Sequence, residues 1–243
     1  TGKPLSLGGS LGRRDATSRG VVHVALAAME QLGMKPEATT AAVQGFGKVG
    51  AGAARFLWDA GVKVEAVSDQ FGAVYREGGL DIPKLEEHMA ETGRVTEFAE
   101  SEPMERDDLL TSKVDVLVPA AMEGVLTSAN AADVQARLVV EGANGPTSAR
   151  ADAILAEKEV LVVPDILANS GGVIVSYFEW VQGNQAYWWT RDEVEERLRS
   201  KMIASWDEVN EFATKHKLNL RHAATAMAVE RVATAHELRG LYP

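Results

Sequence analysis

The chain has 243 residues, 46% hydrophobic and 25% charged, enough to bury a substantial core in one large domain or two small ones. Its formal net charge of −10 argues against a nucleic-acid-binding surface, and the absence of cysteine excludes disulfides and thiolate metal sites. The five scattered histidines form no HExxH pair, so no metal is expected, and no apolar run approaches the ~18 residues of a membrane span. No signal-peptide pattern is present, and the cytoplasm is the expected compartment. The chain opens at Thr1 in TGKPLSLGGSLGRRDATSRG, which reads as the middle of a longer protein.

Residues 1–14 are glycine-rich and basic, hence loop. Asp15 is placed to cap a helix running to about Leu32 and stopping at Gly33, with Val21, Val24, Ala25, Ala28, Met29 and Leu32 on one face. After a linker containing Pro36 comes the most informative segment, VQGFGKVGAGAARFLWDAGVKVEAVSD, residues 43–69. It reads as strand Thr40–Gln44, a glycine turn, a helix from Lys48, a second strand Val62–Val67 and an acidic residue. Gly45, Gly47 and Gly50 form GxGxxG, the fingerprint of a dinucleotide-binding βαβ unit. The first glycine permits the tight turn, the second lets a pyrophosphate approach the backbone, and the third lets the helix pack closely. The helix N-terminus aims its unpaired N–H groups at the phosphates. Asp69 stands where a carboxylate accepts from a ribose 2′-OH.

Ala73–Tyr75 is a short strand, and Asp81 caps a helix to about Thr92. The acidic stretch Ser101–Asp108 reads as a solvated helix start. Val114–Val118, Leu138–Val140 and Val160–Val163 are short continuous apolar runs, the pattern of strands buried on both faces of a parallel sheet. Thr147–Glu157 reads as a helix between the last two. From Gly172 the pattern is helical: VIVSYFEWVQ, then a long helix opened by the capping box Thr190–Glu193 and running toward Lys215, then a last helix capped by Asn219 and ending near Gly240. The fold class is therefore α/β, a doubly wound Rossmann-like, mostly parallel sheet with helices on both faces and a helical C-terminal extension. Residues 1–243 form one dinucleotide-binding domain. Its core is about 38–185, preceded by the leading loop and helix of 1–34 and followed by the helices of 186–243.

Ligands of such sheets bind at the carboxyl ends of the strands. Four strand ends carry distinctive loops: GFGKVG, PAAMEG, EGANGP and PDILANSGG. The small residues Ala120, Ala121, Gly142 and Ala143 let a flat ring or ribose approach the backbone, Gly171 and Gly172 open a second helix whose N–H groups can face a ligand, and Asn144 and Asn169 each offer a carbonyl and an NH2 to read a carboxamide or hydroxyl. Glu123 and Glu141 read as solvated or salt-bridged carboxylates rather than acid/base groups. Tyr187, Trp188 and Trp189 read as core or interface. GGSLGRR could cradle a phosphate but is no Walker motif, and no nucleophile–base set is evident.

Taken together, TGKP (1–4), GGSLGRRDAT (8–17), VQGFGKVG (43–50), VSD (67–69), LVPAA (117–121), EGANGPT (141–147), VPDILANSGGVIVSYFEWVQ (163–182) and LRGLYP (238–243) resemble the glutamate dehydrogenase family, bacterial hexameric type, in its C-terminal nucleotide-binding domain. The resemblance covers nearly the whole chain, and through its final motif it implies that the true C-terminus is present. It also implies oxidative deamination of L-glutamate to 2-oxoglutarate and ammonium, with hydride transfer to NAD(P)+ in a cleft between two domains. The catalytic lysines and the aspartate acid/base would lie in an N-terminal substrate domain outside this chain, and that domain would carry the main contacts of a homo-hexamer.

Carried over by position, Arg13, Thr17, Gly45, Phe46, Gly47, Lys48, Val49, Gly50, Asp69, Ala120, Ala121, Asn144 and Asn169 are cofactor-side residues. Val173 and Ser176 touch substrate, Ser176 donating to its γ-carboxylate. Asp69 favours NAD by repelling a 2′-phosphate. NADP remains possible, because Lys48 or Arg76 could offset that charge. Three departures from the family pattern stand out: Ser18 for a glycine, Lys48 for an asparagine in GFGNVG, and Gly183 for an asparagine in WVQN. Two alternatives stay open: a branched-chain or aromatic amino-acid dehydrogenase, and a module that binds NAD without chemistry in isolation.

Overall fold

In a computed structural model that describes residues 1–240, the glycine fingerprint lies at the centre of a seven-stranded sheet. The strands are β1 (Thr40–Gln44), β2 (Lys63–Ser68), β3 (Ala73–Tyr75), β4 (Glu102–Met104), β5 (Val116–Pro119), β6 (Leu138–Val140) and β7 (Leu161–Val163), in the order β4-β3-β2-β1-β5-β6-β7. β1 pairs in parallel with both β2 and β5, and β5–β6–β7 continue in parallel. β3 and β4 complete one edge in antiparallel fashion. The sheet is thus mostly parallel and wound outward from β1 in both directions.

The eight helices are α1 (Ala16–Gln31), α2 (Lys48–Asp59), α3 (Ile82–Thr92), α4 (Ala149–Glu157), the single turn α5 (Asp165–Ala168), α6 (Gly171–Gln185), α7 (Arg191–His216) and α8 (Leu220–Arg239). The alternation of side chains along each strand divides the core in two. Ala41, Val43, Val116, Val118, Leu138 and Val140 join α1, α2 and α6 on one face. Ala42, Leu117 and Val139 join Leu110, Leu126, Ala151 and Leu155 on the other. This explains why the strands read as unbroken apolar runs: neither face meets water. None of the described helices is long and apolar enough to cross a membrane.

Several local expectations hold in detail. Thr190 and Glu193 form a reciprocal capping box, and Asp81 and Asn219 accept from the third residues of their helices. Others are corrected. Ser101–Asp108 is not a helix start. It contains the edge strand β4, whose Pro103 pairs opposite Val74, followed by a 3-10 turn at Asp107–Thr111. Asp15 occupies the cap position of α1 but caps nothing, because its carboxylate accepts from Arg19 (3.0 Å) and Arg191 (2.7 Å) instead. α4 starts at Ala149, capped by Ser148, rather than at Thr147. Residues 165–168, expected as loop, form α5. The aromatic trio divides: Trp189 packs edge-on against Phe178 with Arg197 over its ring, while Tyr187 and Trp188 are exposed. The last three residues of the LRGLYP match lie outside the described residues.

The helices around β1 meet at unusually short range. A Cβ on Gly171 of α6 would lie 2.3 Å from the Ala16 carbonyl oxygen, and one on Gly52 of α2 would lie 2.4 Å from Ser18 Oγ. Ser18, the departure from the family glycine, is buried, and its hydroxyl reaches the carbonyl oxygens of Lys48 (3.2 Å) and Val49 (3.1 Å). The first turn of α1 is therefore wedged between the starts of α2 and α6.

Candidate nucleotide-binding cleft

The glycine turn is built by close approach rather than flexibility. Gly45 has φ +93°, a left-handed conformation that favours glycine, and a Cβ there would sit 2.9 Å from that of Ala121. A Cβ on Gly50 would lie only 1.8 Å from the Gly45 carbonyl oxygen, so α2 starts hard against the turn. Gly47 is different. Its φ is −79°, and nothing lies within 4 Å of a Cβ built on it. Its value lies in the free space it leaves above the start of α2. No side chain caps that helix, whose first N–H groups face this space. Phe46 shares the motif, yet its side chain is 4% exposed and belongs to the core, which leaves only its backbone for a ligand.

Beside the turn opens a cleft of about 770 Å³ over the carboxyl ends of β5, β6 and β7. Nine of the fifteen sequence-predicted residues line it. Val49, Ala120 and Ala121 lie beside Gly142, whose missing side chain lets Ala120 come within 3.0 Å of where its Cβ would be. Asn144 and Asn169 meet in the cleft, with Asn169 Nδ2 donating to Asn144 Oδ1 at 2.7 Å. Arg13 and Thr17 enter from the segment before β1. Arg13 Nε donates to Ser176 Oγ at 2.8 Å, and a Cβ on Gly172 would lie 2.4 Å from Thr17 Oγ1. Val173, at 67%, stands exposed at the rim.

Gly45, Phe46, Gly47, Lys48, Gly50 and Asp69 lie outside this cleft. The first five belong to the adjoining turn and the start of α2, and Asp69 follows the carboxyl end of β2. Sequence reading marked Ala143 and Gly172 as places where a ligand meets backbone, and both line the cleft; it did not single out Thr1 or Met122, which line it too. Met122 sits in the PAAMEG loop marked as a strand end, which was the available signal.

The two carboxylates weighed as acid/base groups separate clearly. Glu123 is exposed in the cleft. Glu141 is fully buried, held by two hydrogen bonds from Arg221 (2.6 and 3.0 Å) and one from the Asp165 N–H (2.8 Å). Arg221 also donates to Asp152 at 3.0 Å. Burial works against the guanidinium charge, but the bonds and attraction of Glu141 and Asp152 prevail and raise its pKa above the ordinary arginine value. Glu141 thus anchors the Gly142–Asn144 loop from beneath. Arg76 is in no position to offset Asp69: its N–H donates to the Glu65 carbonyl, toward the opposite end of β2, and its guanidinium pairs with Glu100.

A second buried carboxylate ties down the leading segment. Glu179 of α6 has 1% side-chain exposure and accepts from the N–H groups of Gly2 (2.8 Å) and Lys3 (3.4 Å) and from the Lys3 ammonium. Burial works to raise its pKa, but those three donors outweigh it and hold the carboxyl below its ordinary value.

Comparison with known proteins agrees with this arrangement. A family profile described as Glutamate/Leucine/Phenylalanine/Valine dehydrogenase matches residues 8–240. The chain is 47% identical over 244 residues to the glutamate dehydrogenase of Thermotoga maritima, covering all of this chain and 59% of that protein. It is 45% identical over 240 residues to the catabolic NAD-specific glutamate dehydrogenase RocG of Bacillus subtilis, covering 99% of this chain and 56% of that one. Among solved structures, it matches the hetero-hexameric glutamate dehydrogenase of Thermus thermophilus in its Leu-bound form with a TM-score of 0.94 at 38% identity, covering 100% of this chain and 57% of that chain. The glutamate dehydrogenase of Peptoniphilus asaccharolyticus matches with a TM-score of 0.86 at 37% identity, with the same coverage. The chain spans somewhat more than half the length of the relatives it matches. With the fingerprint, the sheet order and the paired asparagines all in place, the chain belongs to the glutamate/leucine/phenylalanine/valine dehydrogenase family.

Proposed function

We propose that this chain is the NAD-binding domain of a glutamate dehydrogenase, which oxidatively deaminates L-glutamate to 2-oxoglutarate and ammonium. The observation that carries the reading is the free space above Gly47 at the uncapped start of α2, beside a cleft lined by two asparagines. NAD, when bound, supplies the hydride acceptor. The N–H groups of Lys48, Val49 and Gly50 hold its pyrophosphate, with Lys48 adding a positive charge. Gly45 and the Phe46 backbone shape the turn beneath. Ala120 and Ala121 leave room for the nicotinamide ribose, Asn144 and Asn169 read its hydroxyls and the carboxamide, and Arg13 and Thr17 border the nicotinamide ring. The Asp69 carboxylate lies beside the adenosine ribose and disfavours a 2′-phosphate.

Val173 and Ser176 face the substrate. Ser176 Oγ accepts from Arg13, so its own proton is free to donate to a γ-carboxylate. An apolar amino acid could not accept that bond, which favours glutamate over a branched-chain or aromatic substrate. The proton-transferring groups belong to a substrate domain outside these 243 residues, and closure of the two domains excludes water from the cleft. Residues 1–243 act as one nucleotide-binding unit. The complete protein is a cytoplasmic homo-hexamer; six subunits also assemble in the Thermus thermophilus relative, named there as a hetero-hexamer.

Paired calorimetric titrations of this chain with NADH and NADPH at one salt concentration test the reading. Binding with NADH preferred is expected. Preference for NADPH would move selectivity from Asp69 to Lys48, and binding of neither would overturn the nucleotide site.

A further inference from the structure

The inference rests on the reading above, that the glycine turn holds a dinucleotide. With the pyrophosphate over Gly47 and the nicotinamide in the cleft over β5–β7, the adenosine half lies on the other side of β1, over the carboxyl end of β2. Four side chains are offered there. Ser68 is buried, and its Oγ accepts from the Gly45 N–H at 3.3 Å. Asp69 is largely engaged within the protein: Oδ1 accepts from the N–H groups of Phe71 (2.7 Å) and Gly72 (3.2 Å), and Oδ2 from that of Val95 (2.7 Å). Three of the roughly four acceptor positions of a carboxylate are thus taken. Gln70 is exposed and polar. Phe71 is 60% exposed, an apolar ring at the tip of the β2–β3 turn.

That turn is closed from both sides. The Asp69 N–H donates to the Gly72 carbonyl at 2.9 Å while the Asp69 carboxylate takes the N–H groups of Phe71 and Gly72. The bond to Val95 ties the same carboxylate to the segment after α3. The Phe71 ring is therefore presented on a braced turn, at the height of the strand end where a base attached to the ribose beside Asp69 would lie. Every base has a flat π-face that an aromatic ring can cover without reading its hydrogen-bonding edge.

We propose that Phe71 is the adenine-contacting residue of this site, its ring forming an apolar platform for the base, with Asp69 as the positioning residue that braces it. Two roles then separate. Phe71 supplies affinity for any adenine nucleotide, and the Asp69 charge supplies the choice between NAD and NADP.

Calorimetry of the whole chain tests this with NADH, NADPH and 5′-AMP as probes. Phe71→Ala is expected to weaken all three by the same factor, about tenfold for loss of one base–aromatic contact. Phe71→Trp is expected to restore binding, Phe71→Leu only part of it, and thermal unfolding of all three variants to match the parent because the ring is exposed. Restoration by the aromatic variant is a result that a merely structural role for Phe71 would not give. Unchanged NADH and 5′-AMP binding by Phe71→Ala, with the parent chain binding NADH normally, would overturn the role of Phe71 and leave the nucleotide site standing. A parent chain that binds no NADH would overturn both.

Discussion

Replacing Arg221 by methionine isolates what the buried ion cluster beneath the cleft contributes. The substitution keeps an apolar stem of similar length and removes the guanidinium. It strands Glu141, whose side chain is 0% exposed, with only the Asp165 N–H for company, and leaves Asp152, 8% exposed, with the Asn219 amide at 3.2 Å. Breaking a buried pair by deleting one partner costs about 3–5 kcal/mol. Arg221 itself keeps 23% exposure, so water can reach the vacated position and the lower end, about 3 kcal/mol, is expected. In a chain of this size each kcal/mol moves the midpoint by about 2–4 °C, which gives a fall of about 6–12 °C. The assay is urea unfolding followed by circular dichroism at neutral pH, with a thermal melt alongside. The double variant Glu141→Gln/Arg221→Met should recover part of the loss, since the stranded charge is then gone. A loss under about 1 kcal/mol, or no recovery in the double variant, would refute the claim that Glu141 depends on Arg221.

Gly47→Ala should melt like the parent, because its Cβ meets no atom, yet weaken NADH binding by filling the space over α2. Gly50→Ala should lower the melting temperature itself, because its Cβ collides with the Gly45 carbonyl; the two melts and two titrations check the contrast. Because its folded pKa lies below the ordinary glutamate value, Glu179 should stabilise the leading segment above that value and lose its hold as pH falls through the folded pKa. Proteolysis near Lys3 should therefore rise in acid for the parent, while Glu179→Gln should be cleaved readily at neutral pH and show little pH dependence. Asp69→Ser should shift the NADH-to-NADPH affinity ratio toward NADPH by about tenfold or more, since one bond to a charged group is worth ~1.5–3 kcal/mol. An unchanged ratio in paired titrations would remove Asp69 as the selector.

The centre of the fold was legible because its signals are local. The glycine spacing fixes where β1 ends and α2 begins, and the capping residues Thr190 and Asn219 fix the starts of α7 and α8. β4 was misread because Glu102-Pro103-Met104 carries no strand pattern of its own; pairing with β3 creates that strand. Asp15 was misread as a cap because its partner Arg191 lies 176 residues away. In the site, the loops at the strand ends were legible, but which side chains turn toward ligand was not. Phe46 came with its motif, and its ring went to the core. Glu179, and the buried Gln182 whose amide donates to Ser10 Oγ at 2.9 Å, did carry a signal, lying four and seven residues after the buried Val175 on the inward face of α6. What could not be read was the distant segment that each would bind.

The wedge formed by the first turn of α1 constrains how this protein can vary. Ala16 and Ser18 press on Gly171 and Gly52 with no room for an added methyl group. The helix α2 that follows the glycine turn and the helix α6 that carries Val173 and Ser176 are thus braced against one shared turn. A single methyl group at either glycine would push on both at once, misaligning cofactor and substrate sides together. On the function proposed above, substrate preference can therefore drift through the outward positions of α6, such as Val173 and Ser176, while the inward glycines stay locked. Gly52 can gain a side chain only where Ser18 gives up its own, which makes the two sites a natural target for a double-variant swap.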